Sequence, residues 1–302
     1  MPTILDQLGE GSRIAVVRLR SLGDCVLTTP AIHLLKTHRP DLRVGVVVEP
    51  RFAAVFTANA EIERILPPTA GAVRAFRPHL ALNLHGGTSS MLLTLASLAH
   101  FRAGFGHYRY QFVYNVRIPR AQEIMGVDRK VHTAEHVASA MFYLGVPQSE
   151  IPRARLFPRQ ELPDGPPYAV IHAFASTPDK TWAAARFREV AAHLAKLGIE
   201  PIFIGTAADP LVAFAPHRTF SPALEDTKAL MSRATLFVGN DSGPAHMAAA
   251  FGIPMVVLFA ASDHEVWRPW KTQAETIVAD RGIDAVTVRQ VIDAVDRMRV
   301  KA

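Results

Sequence analysis

The sequence contains little cysteine and no long apolar run. Its single cysteine among 302 residues, Cys25, excludes an internal disulfide. The longest nearly unbroken apolar stretch, residues 247–261, contains Gly252 and Pro254 and is shorter than the roughly 18 residues that cross a bilayer. The first ten residues lack a charged segment followed by an apolar core, so we expect a cytoplasmic location.

Two common nucleotide-binding fingerprints are also missing. Residues 9–14 and 104–109 each contain a G-x-G pair but lack the third glycine of G-x-G-x-x-G, and neither lies between a strand and a helix. The phosphate-loop pattern G-x-x-x-x-G-K-[ST] does not occur. These absences argue against a dinucleotide oxidoreductase and against a phosphate-loop nucleotidase.

One short string matches a metal-binding pattern. His132 to His136 has the H-x-x-E-H spacing of some zinc peptidases. A match of five residues has a substantial chance frequency in a chain with 13 histidines, and the sequence offers no third ligand. We therefore interpret the string as the start of a helix, and we predict neither a metal site nor a cofactor.

Positive charge is concentrated in the first half of the chain. Lys and Arg number 33 against 27 Asp and Glu, and residues 1–150 hold 16 of the basic and 11 of the acidic residues. Such an excess attracts an anionic partner, whether a phosphate, a nucleic acid or a lipid headgroup. Segment 101–130 interleaves six basic residues with aromatic ones. This composition suits a nucleic acid, an anionic sugar or a solvated edge strand.

Short apolar segments alternate with helix-like segments along the chain. The strand-like segments are residues 13–19, 44–49, 80–87, 168–174, 201–205, 235–239 and 255–259. The helix-like segments are residues 26–38, 183–197, 227–233, a segment from 243 and an amphipathic one at 284–299. This alternation predicts an α/β fold with parallel sheets covered on both faces. Dense proline between 147 and 167 predicts a linker, and hence two domains, 1–150 and 151–302.

In doubly wound sheets, ligands bind beyond the carboxyl ends of the strands. Residues 21–24, 175–182 and 239–246 are loops that follow predicted strands and carry reactive side chains. In the first loop, Asp24 is either a helix cap or a general base that takes a proton from an acceptor hydroxyl. Its neighbour Cys25 is predicted to be a packed residue, because no histidine lies in the same loop.

The other two loops offer groups that bind phosphate. Lys180 is a compact cation that can neutralise a diphosphate leaving group, whereas Trp182 is predicted to lie in the core. The N–H groups of Ser242 and Gly243 begin a predicted helix, where a glycine permits close approach of a phosphate. Asp241 is interpreted either as a cap of this helix or as an acceptor for ribose or sugar hydroxyls.

Residues 13–48, 170–194 and 230–263 contain these loops in an order and spacing that resemble glycosyltransferase family 9, the lipopolysaccharide heptosyltransferases. The resemblance spans nearly the whole chain. It implies a GT-B fold, in which two Rossmann-like domains face a central cleft. It also implies that residues 1–150 bind the acceptor and residues 151–302 bind the nucleotide sugar.

The resemblance implies an inverting, metal-independent enzyme without a cofactor. Its donor would be ADP-heptose, and its acceptor the anionic glycolipid of the lipopolysaccharide core, Kdo/heptose-lipid A. The positive first half suits such an acceptor, reached by peripheral contact with the inner membrane surface from the cytoplasm. No nucleic-acid partner is implied.

Residue roles follow from matching positions. Asp24 matches the family's proposed base, and Lys180, in a K-x-W element, matches its phosphate-binding lysine. The positions assigned to the nucleotide sugar, which include a D-[ST]-G-x-x-H element, are Ser176, Thr177, Asp241, Ser242, Gly243 and His246. The positions assigned to the acceptor are Arg20, Ser21 and Gly23.

Two departures from the family pattern leave alternatives open. Arg20 replaces a small polar residue beside the base, and residues 259–264 replace the usual F-G-P-T-D-P loop. One alternative is therefore a family member that uses another nucleotide sugar or another acceptor. The other is a catalytically silent α/β protein that keeps the nucleotide pocket.

Overall fold

The structure is a computed structural model that describes residues 2–300. The chain divides into two compact units, the first ending at Phe157 and the second beginning at Pro158. Within residues 2–300, no helix combines the length and the hydropathy that crossing a membrane requires.

The division falls after residue 150 because part of the proline-rich segment is attached to the first unit. The backbone N–H of Arg155 donates to Thr29 Oγ1 at 2.9 Å, and the Arg155 guanidinium lies 3.4 Å from the Glu61 carboxylate. Residues 147–167 contain neither a helix nor a strand, as the proline density predicted.

The first unit has six parallel strands joined by helices. The strands are β1 (Arg13–Val17), β2 (Arg43–Val47), β3 (Arg64–Leu66), β4 (Leu80–Asn83), β5 (Phe101–Phe105) and β6 (Val116–Ile118). The helices are α1 (Leu22–Val26), α2 (Thr29–His38), α3 (Ala70–Phe76), α4 (Thr88–Ala96), α5 (Ala121–Met125) and α6 (Thr133–Leu144). The sheet order is β3-β2-β1-β4-β5-β6.

The second unit repeats this plan. Its strands are β7 (Tyr168–His172), β8 (Glu200–Ile204), β9 (Arg218–Phe220), β10 (Leu236–Asn240), β11 (Met255–Phe259) and β12 (Ala274–Val278). Its helices are α7 (Ala184–Lys196), α8 (Leu224–Ser232), α9 (Gly243–Phe251), α10 (His264–Trp267) and α11 (Val288–Val300). The sheet order is β9-β8-β7-β10-β11-β12, and every pairing is parallel. The predicted α/β class is confirmed.

Apolar runs form the central strands because both faces of each sheet are covered. In β1, residues 14–17 are fully buried, and Val17 pairs with Val47 on one side and Asn83 on the other. In β10, a Cβ at Gly239 would lie 2.7 Å from the backbone oxygen of His172, so only glycine fits there.

Helix boundaries differ from the prediction at both ends of the chain and at α8, which begins at Leu224 rather than at 227. The predicted helix 26–38 is two helices, since α1 ends at Val26 and α2 begins at Thr29 with Pro30 in its first turn. Residues 22–24, predicted as a loop, are the first turn of α1. The last helix begins at Val288 rather than 284, because residues 283–285 form a 3₁₀ turn.

Candidate functional site

Each predicted site loop follows a central strand of its sheet. These strands lie where the chain, having added strands toward one edge of the sheet, begins to add them toward the other. In the first unit these strands are β1 and β4, and in the second they are β7 and β10. The loops that follow two adjacent strands at such a point run to opposite sides of the sheet, which leaves a crevice at the carboxyl ends of those strands. Asp24 follows β1, Lys180 follows β7 and Asp241 follows β10.

Asp24 is held by hydrogen bonds at both carboxylate oxygens. Its Oδ1 atom lies 3.2 Å from Nη1 of Arg18, and its Oδ2 atom accepts from Ser21 Oγ at 3.1 Å and Ser21 N at 3.4 Å. Asp24 is the third residue of α1 and Ser21 its N-cap, so the two form a capping box. Asp24 therefore caps α1 from its third residue, whereas the N-cap position that the sequence interpretation gave to Asp24 is held by Ser21. A carboxylate accepts about four hydrogen bonds, which leaves acceptor capacity for a substrate hydroxyl.

Arg18 is buried at the end of β1 and is itself anchored. Its Nε donates to Thr28 Oγ1 at 3.1 Å, and the same hydroxyl donates to the backbone oxygen of Asp24 at 2.8 Å. The neighbouring Cys25 is fully buried, and burial raises the pKa of its thiol to about 12. Cys25 is a packed residue, as predicted.

A cavity of about 580 Å³ opens at the carboxyl ends of β1 to β4. Its charged and titratable lining residues are Arg20, Glu49 and His85. The remaining lining residues are Leu19, Pro68, Ala70, Gly87, Thr88, Ser89, Leu92 and Leu93. Arg20 is exposed and is joined to Ser21 by a cis peptide bond, whereas Gly23 is buried within α1 and is not part of the lining.

His85 lines this cavity and is close enough to Arg18 and Asp24 for their charges to shift its pKa. Burial and the nearby Arg18 guanidinium lower the pKa of His85, opposed by Asp24 and by a hydrogen bond to the backbone of Arg20. The imidazole is therefore neutral at pH 7, with one ring nitrogen committed to that backbone bond. The strand end that carries it is fixed by Asn83 Oδ1, which accepts from the backbone N–H of His85 at 3.0 Å.

In the second unit, Lys180 and Asp241 form a loose pair. Lys180 ends the 3₁₀ turn Pro178–Lys180, and its Nζ lies 4.0 Å from Oδ2 of Asp241. Burial raises the pKa of Asp241, opposed by a hydrogen bond from Ser262 Oγ and by Lys180. Ser262 lies in the loop that departs from the family pattern, but it occupies the threonine position of F-G-P-T-D-P, so the hydroxyl that contacts Asp241 is kept.

The first turn of α9 faces this pair. Ser242 is its N-cap but forms no side-chain cap, because its Oγ lies 3.0 Å from His172 Nδ1. Burial lowers the pKa of His172 to about 4, which keeps the ring neutral. The N–H groups of Ser242 and Gly243 therefore begin a helix whose positive end has no capping side chain.

The remaining predicted nucleotide-sugar residues lie in different surroundings. Ser176 and Thr177 are exposed in the loop after β7, where the Thr177 carbonyl accepts from the N–H of Lys180 at 3.2 Å. His246 is buried one turn into α9, its ring 6.1 Å from that of Trp267. Trp182 is fully buried and donates to the backbone oxygen of Val286 at 2.9 Å, which confirms its prediction as a core residue.

The H-x-x-E-H string begins α6, as predicted. The His132 ring caps the helix by accepting from Ala134 N at 3.0 Å, and Glu135 pairs with Arg129 at 2.6 Å. His136 stacks on Phe105 with ring centroids 4.0 Å apart. Among residues 2–298, no group of three metal-ligating side chains is arranged around a common point.

Sequence reasoning missed four side chains that complete the two sites. They are Arg18, His85, His172 and Ser262. Arg18 and His172 do carry a signal, because a charged or titratable residue at the end of an apolar strand must find a partner when it is buried. Ser262 carries none, since its contact with Asp241 depends on the pairing of β10 with β11.

Comparison with known proteins gives a consistent result. A sequence profile described as Glycosyltransferase family 9 (heptosyltransferase) matches residues 72–291. Lipopolysaccharide heptosyltransferase 3 of Escherichia coli (strain K12) is 27% identical over 292 residues, which cover 83% of this chain and 83% of that protein.

Solved structures share the fold. A glycosyl transferase of family 9 from Veillonella parvula superimposes with a TM-score of 0.84 at 21% identity, covering 97% of this chain and 98% of its own. The E. coli heptosyltransferase WaaC with ADP gives 0.80 at 20% identity, with 95% and 99% covered. The predicted GT-B fold is thereby confirmed. Because the family profile matches well over half of its length, the chain belongs to glycosyltransferase family 9, the heptosyltransferases.

Proposed function

We propose that this glycosyltransferase moves a heptose from ADP-heptose to an anionic glycolipid of the lipopolysaccharide core, with inversion and without a divalent metal. The observation that carries the proposal is the position of Lys180, whose half-buried side chain lies beside Asp241, the residue that precedes the uncapped start of α9. An ammonium group and a helix N-terminus at one crevice suit the diphosphate of a nucleotide sugar. The E. coli WaaC structures contain ADP and ADP-2-deoxy-2-fluoro heptose.

On the donor side, Lys180 and the N–H groups of Ser242 and Gly243 bind the diphosphate. Asp241 accepts hydrogen bonds from sugar hydroxyls, with Ser262 fixing its carboxylate. The exposed hydroxyls of Ser176 and Thr177 complete the phosphate contacts. His246 supports the start of α9 from within the core, because it is buried one turn into that helix.

On the acceptor side, the cavity of the first unit receives the sugar. Arg20 pairs with an anionic group of the acceptor, while Ser21 and Gly23 act from outside the cavity lining, as the N-cap and the second residue of the α1 turn that carries the base. The neutral ring of His85 can accept a hydrogen bond from a sugar hydroxyl. Asp24 is the base, held in place by Arg18 and Ser21.

The reaction is a single displacement. As the acceptor oxygen forms its bond to the anomeric carbon, its proton passes to the Asp24 carboxylate. The bond from the anomeric carbon to the diphosphate breaks, and its electron pair leaves on ADP. Lys180 and the α9 N-terminus stabilise the charge that grows on ADP, a contribution of several kcal/mol that a metal ion supplies in other enzymes.

The acceptor is a lipid, so we propose that the enzyme acts in peripheral contact with the inner membrane surface. The excess of positive charge in residues 1–150 supports this placement. Attraction between exposed charges is screened over about 8 Å at physiological ionic strength, so this contact should weaken as salt is added.

Thermal unfolding with nucleotides in excess EDTA tests the donor site. A ligand that binds only the folded state stabilises it by RT ln(1 + [L]/Kd), about 2.7 kcal/mol at 100 times Kd. ADP should stabilise the protein more than UDP, GDP or NAD. Lys180→Ala should weaken ADP binding by about tenfold or more, the scale of one charge-assisted contact.

Lys196→Ala is the matched control, because Lys196 is an exposed lysine of the same unit in the last turn of α7. It should leave ADP binding unchanged. A preference for UDP or GDP would discard ADP-heptose and keep a glycosyltransferase with another donor. If no nucleotide stabilises the protein at millimolar concentration, the proposed donor site is wrong.

A further inference from the structure

The surface of the first unit carries a group of exposed apolar side chains near the acceptor cavity. We name Leu92, Leu95, Leu98 and Phe112 the apolar patch; their exposed fractions lie between 40% and 72%. Leu92 and Leu95 are one helical turn apart in α4, and Leu98 follows two residues after the helix ends. Large apolar side chains grouped in this way mark a contact surface more often than a solvated one.

The patch is continuous with the cavity. Leu92 lines the cavity and also belongs to the patch. Phe112 reaches the same region through Tyr110, whose ring lies 6.3 Å from that of Phe112 and whose hydroxyl lies 2.9 Å from Thr88 Oγ1, at the start of α4. A molecule whose polar end enters the cavity can therefore extend an apolar part over the patch.

The sequence segment that carries the patch has charges of one sign, although Glu49 also lines the adjoining cavity. Residues 64–122, which include all of the patch, contain seven arginines and neither aspartate nor glutamate. Arg109 stacks over the Tyr110 ring at 5.5 Å, and Arg20 lines the cavity. Apolar side chains bordered by arginines fit the boundary between acyl chains and anionic headgroups, where apolar groups insert and cations meet phosphates.

We infer that the apolar patch inserts into an anionic lipid surface and that this contact brings the membrane-held acceptor to the cavity lined by Arg20 and His85. The inference extends the proposed function, since it names the surface that meets the lipid. The patch provides insertion, and the arginines of residues 64–122 provide attraction to anionic headgroups. Neither the insertion of the patch nor the attraction of the arginines to headgroups requires a bound donor.

Co-sedimentation with vesicles tests the inference directly. Wild-type protein should bind vesicles of phosphatidylcholine with phosphatidylglycerol, and bind vesicles of phosphatidylcholine alone far less. The variant Leu95→Ser, Leu98→Asn, Phe112→Ser should lower the partition coefficient by about tenfold or more, because three inserted apolar groups are lost. Asparagine is chosen at Leu98, whose backbone has a φ of 54°. Leu92 is left unchanged because it lines the cavity.

The second unit offers a matched control. Val212, Phe220 and Val278 are exposed by 42% to 84% and likewise comprise two aliphatic side chains and one phenylalanine. Replacing all three with serine should leave vesicle binding unchanged. Equal binding by wild type and the patch variant, or equal loss in both variants, would overturn the inference. So would sedimentation showing that the patch variant converts a dimer into monomers while vesicle binding is unaffected, since the patch would then contact a second copy.

Turnover separates this inference from the proposed function. With an acceptor sugar that lacks acyl chains, the patch variant should match wild type in kcat/KM, whereas with the acceptor in anionic vesicles it should fall by about the loss in partitioning. A wild type that transfers heptose to neither acceptor refutes the proposed function, and the vesicle result then still decides the inference. A patch variant with normal kcat/KM on the vesicle-held acceptor refutes the inference alone.

Discussion

Each unit holds a pair of opposite charges at the carboxyl ends of its central strands, but the two units expose opposite members of the pair. In the first unit, Arg18 is 7% exposed and its partner Asp24 is 23% exposed. In the second unit, Asp241 is 11% exposed and its partner Lys180 is 26% exposed. The first unit therefore presents a carboxylate at its crevice, and the second presents an ammonium group.

This difference arises in the loops, because both sheets have the same strand order and wholly parallel pairing. A carboxylate held by a buried guanidinium can receive a proton from a hydroxyl, and an exposed ammonium group can meet a phosphate. Under the proposed function, one fold would supply both halves of a glycosyl transfer through the choice of which charge is buried.

Removing the exposed carboxylate should have the largest effect. In Asp24→Asn we expect kcat to fall by about 10³-fold, within the range for loss of a general base, because the amide cannot take the acceptor proton. Stabilisation by ADP should be unchanged, since the donor groups lie in the other unit. Steady-state kinetics and thermal unfolding with ADP measure the two effects separately.

Glu123→Gln is the control for the capping role of Asp24. Glu123 is also the third residue of a first-unit helix, α5, and accepts from the backbone N–H of its N-cap, Arg120, at 3.1 Å. This substitution should leave kcat near normal. If Asp24→Asn also turns over normally, Asp24 only caps α1. The carboxylate that the first unit exposes would then not be the base of the reaction.

Much of the fold could be predicted from the sequence because local patterns and long-range structure agree. The apolar runs at β1, β4, β7, β10 and β11 are long enough to be recognised, and the loops after them contain glycine and polar residues. Strands β3, β5, β6, β9 and β12 escaped prediction. Three of them, β3, β6 and β9, are short edge strands. Each has three residues and gains its strand geometry mainly from pairing with a neighbour.

Only the site residues that lie within local sequence motifs could be predicted. Asp24, Lys180 and Asp241 lie in recognisable loops, whereas the partners that orient them come from elsewhere. Ser262 reaches Asp241 from the next strand of the sheet. His85 reaches the Asp24 pair from the end of β4, more than 60 residues away in sequence. Such contacts depend on strand order, which no single segment encodes.

Acid should weaken the second unit through His172. The folded pKa of about 4 lies below the ordinary value of 6.5, so the unfolded chain binds more protons between these values. The contribution to stability is complete above pH 6.5 and is lost as pH falls toward 4, by at most about 3 kcal/mol. His172→Gln should flatten this pH dependence, because glutamine does not titrate and can still hydrogen-bond Ser242.

Tryptophan fluorescence assigns the effect to one unit. All three tryptophans, Trp182, Trp267 and Trp270, belong to the second unit. Urea unfolding followed by this signal between pH 4 and 7 should show the flattening in His172→Gln. The pH dependence should be unaltered in His136→Phe, which removes a half-buried histidine of the first unit whose pKa is also lowered to about 4 by desolvation. An unaltered pH dependence in His172→Gln would show that other groups control acid unfolding.

The smallest effect should come from the buried cation of the first unit. Arg18→Met fills a similar volume without charge, and we expect kcat to fall about tenfold, or about 1.4 kcal/mol, because Asp24 loses one of the groups that orient it. Arg18→Lys should recover part of this loss. In an Asp24→Asn background, Arg18→Met should cause no further fall in kcat, since no base remains to be oriented. Equal losses in both backgrounds would make Arg18 a residue of structural stability alone, and the buried member of the pair would then have no part in the chemistry.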